Sequence, residues 1–349
     1  MKMKSVLYGN GINIQFSNKV NKDDYKNYKI ICRLMETLKT DKLDKCFKNL
    51  ISHDAIVEII EELNKFYNKI SSNFPFTLKI FQLLESDDMI TLMEILGRYN
   101  GKSSTLTDVS IEDYFYIMKI FNIYLADYHK EEPVKNETLY TGLKWLFLDA
   151  IYNGGEIEEI YKNMDCYRNE LNTYDNIFTV NYDTNLEKLT SKHINYLHGD
   201  FNSLNINFDE TTLIGFALKI QGKLGEYIKT MRHIFCNAVM GYSGTEKMNC
   251  INEVNNKHQD ERCKAVIPII PNYRDSSYPT DKLSQIAGEI DIIGMSPNND
   301  SHIFKIVNEN SGITKVNFYY GKQEDKDSAE KIIKKPLQLL NVFDYWSKF

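Results

Sequence analysis

Two kinds of hydrophobic pattern divide the chain. Between about residues 30 and 165, apolar side chains recur every three or four positions with charged residues between them, which is the period of an amphipathic helix. From about residue 175 onward, short apolar runs alternate with longer mixed stretches, a pattern that predicts strands separated by helices. The run Val6-Leu7-Tyr8 resembles those later strands, so we expect it to join their sheet.

The order of these elements predicts the fold class. Strands are predicted at 4–8, 177–181, 195–198, 212–216, 265–270, 290–295 and 315–320. Helices are predicted at 56–70, 76–85, 88–99, 111–128 and 138–153, and then at 184–192, about 219–240 and 301–311. Such alternation is typical of an α/β, Rossmann-like, doubly wound sheet that is mostly parallel. The predicted domains are a discontinuous Rossmann-like domain, residues 1–30 plus 170–349, and a large helical insertion, residues 31–169.

Composition narrows the functional classes. The 42 basic and 48 acidic residues give a formal net charge of −6, so direct binding to nucleic acid or to an anionic membrane is not expected. No apolar run reaches the roughly 18 residues of a membrane span, and the N-terminal run is too short for a signal peptide. CxxC, HExxH and DxDxDG patterns are absent, so no metal site is predicted. We expect a soluble, cytoplasmic protein with reduced cysteines.

A glycine-rich turn follows the first predicted strand, in the motif Tyr8-Gly9-Asn10-Gly11-Ile12-Asn13. A glycine pair between a strand and a helix lets backbone N–H groups approach a pyrophosphate. The third glycine of a GxGxxG fingerprint is replaced by Ile14, and a plain tight turn also explains the pair. Gly9, Asn10, Gly11 and Asn13 are therefore candidate nucleotide-binding residues.

The strand predicted at 177–181 ends in a polar cluster that contains Asn181 and Asp183. Ligands of open α/β sheets bind at the carboxyl ends of the strands, which is where both residues fall. Helix capping is the alternative, since Asp183 or Thr184 suits an N-cap and Glu187 would complete a capping box. Capping does not explain Asn181.

Two further strand ends carry polar residues. His198 ends the strand predicted at 195–198 and is followed by Gly199. A histidine there suits general-base chemistry, although a buried or surface structural role is the alternative. Gly294 and Ser296 lie at the end of the strand predicted at 290–295. They are placed to contact a ribose or a phosphate, but a structural turn is equally consistent with them.

The four motifs, taken in this order, resemble those of the sirtuin-like superfamily of NAD-binding domains. The resemblance is to its bacterial anti-phage branch, which borders on the AbiH-type abortive-infection proteins. The turn at 8–13 is similar to the first glycine loop in its GNG form, and 179–183 resembles the TxNxD motif. The stretch 197–199 resembles the HG motif that holds the catalytic histidine, and 293–296 resembles the late GxS motif.

The resemblance implies an NAD-hydrolysing activity. Protein-deacylating sirtuins carry two CxxC pairs and a glutamine before the catalytic asparagine, whereas this chain has no CxxC pair and has Val180 at that position. Both differences disfavour a lysine deacylase. The resemblance also implies that Asp183 binds the carboxamide of nicotinamide and that Asn181 and His198 are catalytic.

The expected reaction is cleavage of the nicotinamide N-glycosidic bond of NAD, with water as acceptor and no metal. Nicotinamide leaves from a cationic ring, so the reaction needs no general acid. It does need a positioned water and a base. Asn181 can hold the water and a ribose hydroxyl because an amide both donates and accepts, and His198 can take the proton.

Such an activity has to be gated, because uncontrolled loss of NAD would kill the host. The resemblance implies an abortive-infection effector in anti-phage defence, gated by homo-oligomerisation or by a partner such as a HerA-type ATPase. The alternatives are a non-catalytic sensor that binds NAD or ADP-ribose and an assembly subunit of a defence complex. A nuclease would need a cluster of acidic metal ligands, which the sequence pattern does not show.

Overall fold

The structure is a computed structural model. It describes residues 3–17, 23–40, 53–99, 109–129, 134–203, 232–234, 236–241, 244–257 and 278–349. The chain forms two compact units, one of 1–25, 154–239 and 244–349 and the other of 26–153 and 240–243. The first unit contains the sheet and the second is built from helices. Residues 26–30 belong to the helical unit and 154–169 to the sheet unit, so both boundaries lie earlier in the chain than the predicted positions 30 and 170.

The sheet has six strands, and every pair of neighbours is parallel. The strands are β1 (Lys4–Tyr8), β2 (Asn176–Thr179), β3 (Ile194–Tyr196), β4 (Gly288–Ile293), β5 (Ile313–Tyr320) and β6 (Leu337–Asn341). Their order is β3-β2-β1-β4-β5-β6, so the direction of winding reverses between β1 and β4. This confirms the predicted Rossmann-like α/β fold and places a topological switch point beside β1.

The helices of both units follow in chain order. They are α1 (Gly11–Phe16), α2 (Asn27–Thr37), α3 (His53–Ser72), α4 (Phe74–Phe81), α5 (Ser86–Tyr99), α6 (Ile111–His129), α7 (Val134–Tyr152), α8 (Arg168–Leu171), α9 (Asn185–Leu189), α10 (Gly244–Lys257), α11 (Thr280–Gln285), α12 (Ser301–Glu309), α13 (Gln323–Ile332) and α14 (Val342–Trp346). Shorter 3-10 segments lie at Asn153–Asn163, Asp165–Tyr167 and Arg232–Ile234.

Five predicted strands correspond to β1–β5, with small shifts at their ends. The strands predicted at 212–216 and 265–270 lie outside the described residues. The helix predicted at about 219–240 lies mostly outside them. Of its described residues, Arg232–Ile234 form a 3-10 turn and 236–240 are not helical, so the prediction is wrong at this end. β6 was not predicted; it is an edge strand whose residues are partly buried or, at Gln338, exposed.

Both faces of the sheet are covered. β1 is buried along Ser5–Tyr8, as expected for a central strand of a parallel sheet. On one face, Leu7 belongs to an apolar cluster with Phe304 of α12 and Phe318 of β5. Tyr8, the next residue of β1, points to the opposite face. Its hydroxyl lies 2.6 Å from that of Tyr167, which is also hydrogen-bonded to the hydroxyl of Tyr345 in α14. These contacts hold helices against both faces of the sheet, so the ends of the strands are flanked by loops.

The helical unit has its own core. α6 packs against α3 and α5 and buries apolar residues on several sides, including Phe115, Ile117 and Ile120. Asp113 ties α6 to α5 by accepting hydrogen bonds from Arg98 and Tyr99, both at 2.7 Å. Within the described ranges, no helix of the chain is both long enough and apolar enough to cross a membrane.

Candidate functional site

The four predicted motifs begin at the same edge of the sheet. Tyr8 lies in register with Thr179 of β2 and with Ile293 of β4, and Thr179 with Tyr196 of β3. The ladder continues one residue further, because the Val180 N–H donates to the Tyr8 carbonyl at 3.0 Å. The loops after β1, β2, β3 and β4 therefore start side by side at the carboxyl edge, where open α/β sheets bind ligands.

The glycines of the loops after β1 and β4 pack directly on each other. A Cβ atom added to Gly9 would lie 2.5 Å from the Gly294 carbonyl oxygen, and one added to Gly11 would lie 2.4 Å from the Gly294 Cα. The Gly9 and Gly11 N–H groups donate to the carbonyls of Ile293 and Gly294, both at 3.0 Å. The glycine pair thus serves this packing, and its two N–H groups are already engaged within the protein.

Asn13 and Asp183 meet in a buried hydrogen-bond network. The Asn13 Nδ2 donates to Asp183 Oδ2 at 2.6 Å, and the Asn185 Nδ2 donates to Asp183 Oδ1 at 2.6 Å. The Asn185 backbone N–H also donates to Asp183 Oδ1, at 3.1 Å. Burial of the carboxylate raises the pKa of Asp183 to about 6, although these hydrogen bonds oppose the rise. The network joins α1 to the loop after β2.

Asp183 should make the stability of this unit depend on pH. Because burial raises the pKa of Asp183 above its ordinary value in an unfolded chain, protonation favours folding, and this stabilisation is lost as the pH rises through about 6. The pKa difference corresponds to a change of about 3 kcal/mol. We expect the free energy of unfolding of the wild type, relative to Asp183→Asn, to increase by up to that amount between pH 7 and pH 4 in urea denaturation. A constant difference would contradict the assignment.

Asn181 reaches from β2 toward the first loop. Its Nδ2 donates to the Gly9 carbonyl at 3.3 Å, and its backbone N–H donates to Thr179 Oγ1 at 3.0 Å. No hydrogen bond from a described residue reaches its amide oxygen. The side chain of Asn10 in the first loop bonds a different part of the chain, because its Nδ2 donates to the Tyr25 carbonyl at 2.7 Å.

His198 lies in a second cluster, with two residues that the sequence analysis did not select. Its Nε2 is 2.9 Å from the Nε2 of His302 and 3.9 Å from Oδ1 of Asp300. The two rings are stacked at 5.0 Å between centroids. All three residues are buried, and no hydrogen bond from a described residue reaches the buried Nδ1 of His302.

The surroundings of this cluster favour neutral rings. Burial lowers the pKa of His198 well below its usual value and that of His302 to about 3, and the charge of Lys247 adds to both effects. Lys247 belongs to α10 and is itself buried. Two neutral rings can share a hydrogen bond between their Nε2 atoms only if one Nε2 carries the proton.

The glycine that follows His198 is required by the backbone. Gly199 has a φ of +82°, and a Cβ atom there would lie 2.5 Å from Oδ1 of Asn237. That oxygen accepts the Asp200 N–H at 2.9 Å. In the His198-Gly199 pair, the histidine is therefore the candidate functional residue, and the glycine is needed for its backbone conformation.

The last motif contributes a contact on the other side of the switch point. Ser296 Oγ donates to Asp325 Oδ1 at 3.2 Å, while Gly294 packs on Gly11. Asp300 is the N-cap residue of α12, but its side chain makes no capping hydrogen bond. An Asp-x-His pattern at the start of a helix that follows a strand is the signal that would have found Asp300 and His302.

Most of the predicted site residues thus fall into two groups, while Asn10 and Ser296 bond Tyr25 and Asp325 instead. Gly9, Gly11, Asn13, Asn181, Asp183 and Gly294 are linked by the contacts above around the ends of β1, β2 and β4. His198 joins Asp300 and His302, the set of described residues that could hold a metal ion, with ligand atoms all within 4.8 Å of one another. No hydrogen bond between described residues joins His198 directly to Asn181.

Comparison of the chain with protein-family models, curated proteins and solved structures found no match.

Proposed function

We propose that this chain is an NAD glycohydrolase that cleaves the nicotinamide N-glycosidic bond with water and releases nicotinamide and ADP-ribose. The observation that carries the proposal is the alignment of four motif loops at one sheet edge, beside the switch point between β1 and β4. Nucleotides bind at such positions in doubly wound sheets. The order and content of the motifs, which resemble those of sirtuin-like proteins, supply the reaction.

Asn181 is suited to position the reacting groups. Its amide is anchored on the Gly9 carbonyl through one N–H, which fixes the side chain at the strand end. The amide oxygen and the second N–H can then hold a water and a ribose hydroxyl. A water held against the anomeric carbon supplies the entropic part of catalysis.

His198 can act as the base in one tautomeric arrangement of its pair. If the His198 Nε2 carries the proton, it donates to the His302 Nε2 at 2.9 Å, and the His198 Nδ1 keeps a lone pair for the proton of the attacking water. The opposite arrangement places the proton on His198 Nδ1 and removes the base. The function therefore requires His302 to be the acceptor of this bond.

The nucleotide contacts differ in part from a simple glycine cradle. Because the N–H groups of Gly9 and Gly11 donate to the carbonyls of Ile293 and Gly294, the pyrophosphate would be bound by the Asn10 N–H and would pack against the glycines of the loop. Asp183 Oδ2 accepts one hydrogen bond from Asn13 and retains capacity for a carboxamide N–H. Gly294 and Ser296 remain proposed ribose or phosphate contacts.

The activity is tested by product analysis. We expect the purified chain, incubated with NAD alone and together with a HerA-type ATPase, to release nicotinamide and ADP-ribose in equal amounts, resolved by chromatography. Asn181→Ala is the matched negative control. Intact NAD in every reaction, with NAD binding seen by calorimetry, would contradict hydrolysis.

That contrary outcome would favour the second candidate function, a non-catalytic NAD or ADP-ribose sensor. The burial of His198 and the use of its Nε2 by His302 are the observations that favour the sensor, because a sensor needs no base. In either case we propose a gated role in anti-phage defence, as a homo-oligomer or with a partner protein. The proposed roles of Asn181 and His198 do not depend on what triggers the activity.

A further inference from the structure

The cluster of His198, Asp300 and His302 brings three metal-binding side chains together from two separate loops. His198 follows β3, whereas Asp300 and His302 lie between β4 and the first turn of α12. The two histidines are 104 residues apart along the chain. We infer that these three residues form a binding site for one divalent transition-metal ion, with Zn²⁺ as the representative ion.

The distances are close to those of a ligand set. The two Nε2 atoms are 2.9 Å apart, and His198 Nε2 is 3.9 Å from Asp300 Oδ1. Nitrogen and oxygen ligands at about 2.0–2.2 Å from a tetrahedral zinc ion are separated from each other by about 3.3–3.5 Å. Small side-chain rotations would therefore bring all three atoms into one coordination sphere.

The chemistry of the set favours a metal ion over a structural hydrogen bond alone. A hydrogen bond between two neutral rings needs no carboxylate, yet Asp300 Oδ1 lies 3.9 Å from the His198 Nε2 that meets the His302 Nε2 at 2.9 Å. Two imidazoles and one carboxylate are a common ligand set for transition metals. Ligation requires neutral rings, which the burial of this cluster favours.

The local charges set the expected strength of binding. Asp300 supplies one negative charge, while the buried Lys247 adds a positive charge that acts on both histidines. An ammonium group near the ligands opposes a divalent cation. We therefore expect a reversible, regulatory affinity rather than that of a four-ligand structural zinc site.

A bound metal would also switch off the base, a consequence that rests on the proposed function. Coordination through His198 Nε2 uses the lone pair of that nitrogen, so the remaining proton of the neutral ring moves to Nδ1. His198 then has no lone pair for the attacking water. Zn²⁺ should inhibit NAD cleavage for this reason, and its removal should restore cleavage.

Metal binding is measured first and without NAD. The full chain is titrated with Zn²⁺ against a chromophoric chelator, and with Co²⁺ by visible absorption. We expect one ion per chain, with Co²⁺ d–d bands and no thiolate charge-transfer band, because the proposed ligands include no cysteine. Loss of an outer-shell partner typically costs about 10–100-fold in affinity, so His302→Ala, which loses a ligand, should weaken binding by at least about 100-fold.

Matched variants separate the site from general effects. His193→Ala removes an exposed histidine at the other end of β3, and this variant should bind Zn²⁺ as the wild type does. Asp300→Asn preserves the shape of the side chain and removes its charge, so it should weaken binding even if His302→Ala fails to fold. Equal affinities for wild type, Asp300→Asn and His302→Ala, or thiolate bands with Co²⁺, would overturn the metal site. Zn²⁺ binding together with no NAD turnover by the activated, chelator-treated chain would overturn the proposed function and leave the metal site standing.

Discussion

Replacing His198 with Ala is expected to lower the rate of NAD cleavage by about 10²–10⁴-fold, which is the typical contribution of a positioned base. NAD binding should remain largely intact, because the base acts in the transition state rather than in the ground state. Asn181→Ala should also abolish turnover, with a modest loss of binding, since Asn181 would hold both water and ribose. Turnover is measured by chromatography in the presence of a chelator, and binding by calorimetry.

The control for this experiment is the variant His193→Ala. His193 is exposed and lies one residue before β3, so this variant should retain wild-type turnover. Each variant has to be compared in the same assembly state, because failure to assemble would mimic a catalytic defect. An intact assembly of His198→Ala that cleaves NAD within a few-fold of the wild-type rate would exclude His198 as the base. Activation of water would then fall to Asn181 or to the ribose of the substrate.

Replacing Gly294 with Ala is expected to destabilise the sheet unit by about 2–5 kcal/mol, from backbone strain and overpacking together. Gly294 has a φ of +71°, and a Cβ atom there would lie 2.7 Å from the Cα of Gly11. The neighbour is backbone, so no side chain can rotate away to relieve the contact. The measurement is the free energy of unfolding in urea, followed by far-ultraviolet circular dichroism.

Gly321→Ala provides the matched control in the same unit. A Cβ atom at Gly321 would meet only Val342 Cγ1, at 3.6 Å, which is an ordinary van der Waals distance. We expect its stability to stay within about 0.5 kcal/mol of the wild type, as for most surface substitutions. Equal stabilities of Gly294→Ala and Gly321→Ala would show that the loops after β1 and β4 do not pack as described.

Much of the Rossmann-like sheet was predictable from local pattern. β1 and β4 are short apolar runs bounded by glycine, and such runs become buried parallel strands because both faces of the sheet are covered. The convergence of the motif loops was also predictable, since parallel strands deliver their carboxyl ends to one edge. β6 was missed because an edge strand is buried on fewer sides and keeps a weaker hydrophobic pattern.

The sequence by itself therefore determined five of the six strands of the described sheet, β1 to β5, and that Asn181, Asp183 and His198 would each lie at a strand end. Only the tertiary structure decided what these side chains contact. The GNG turn has the same sequence whether its glycines face a phosphate or another loop, and the approach of Gly294 selects loop packing. The histidine pair depends on a contact across 104 positions of the chain, because hydrogen bonds are set by distances in space, which local periodicity does not encode.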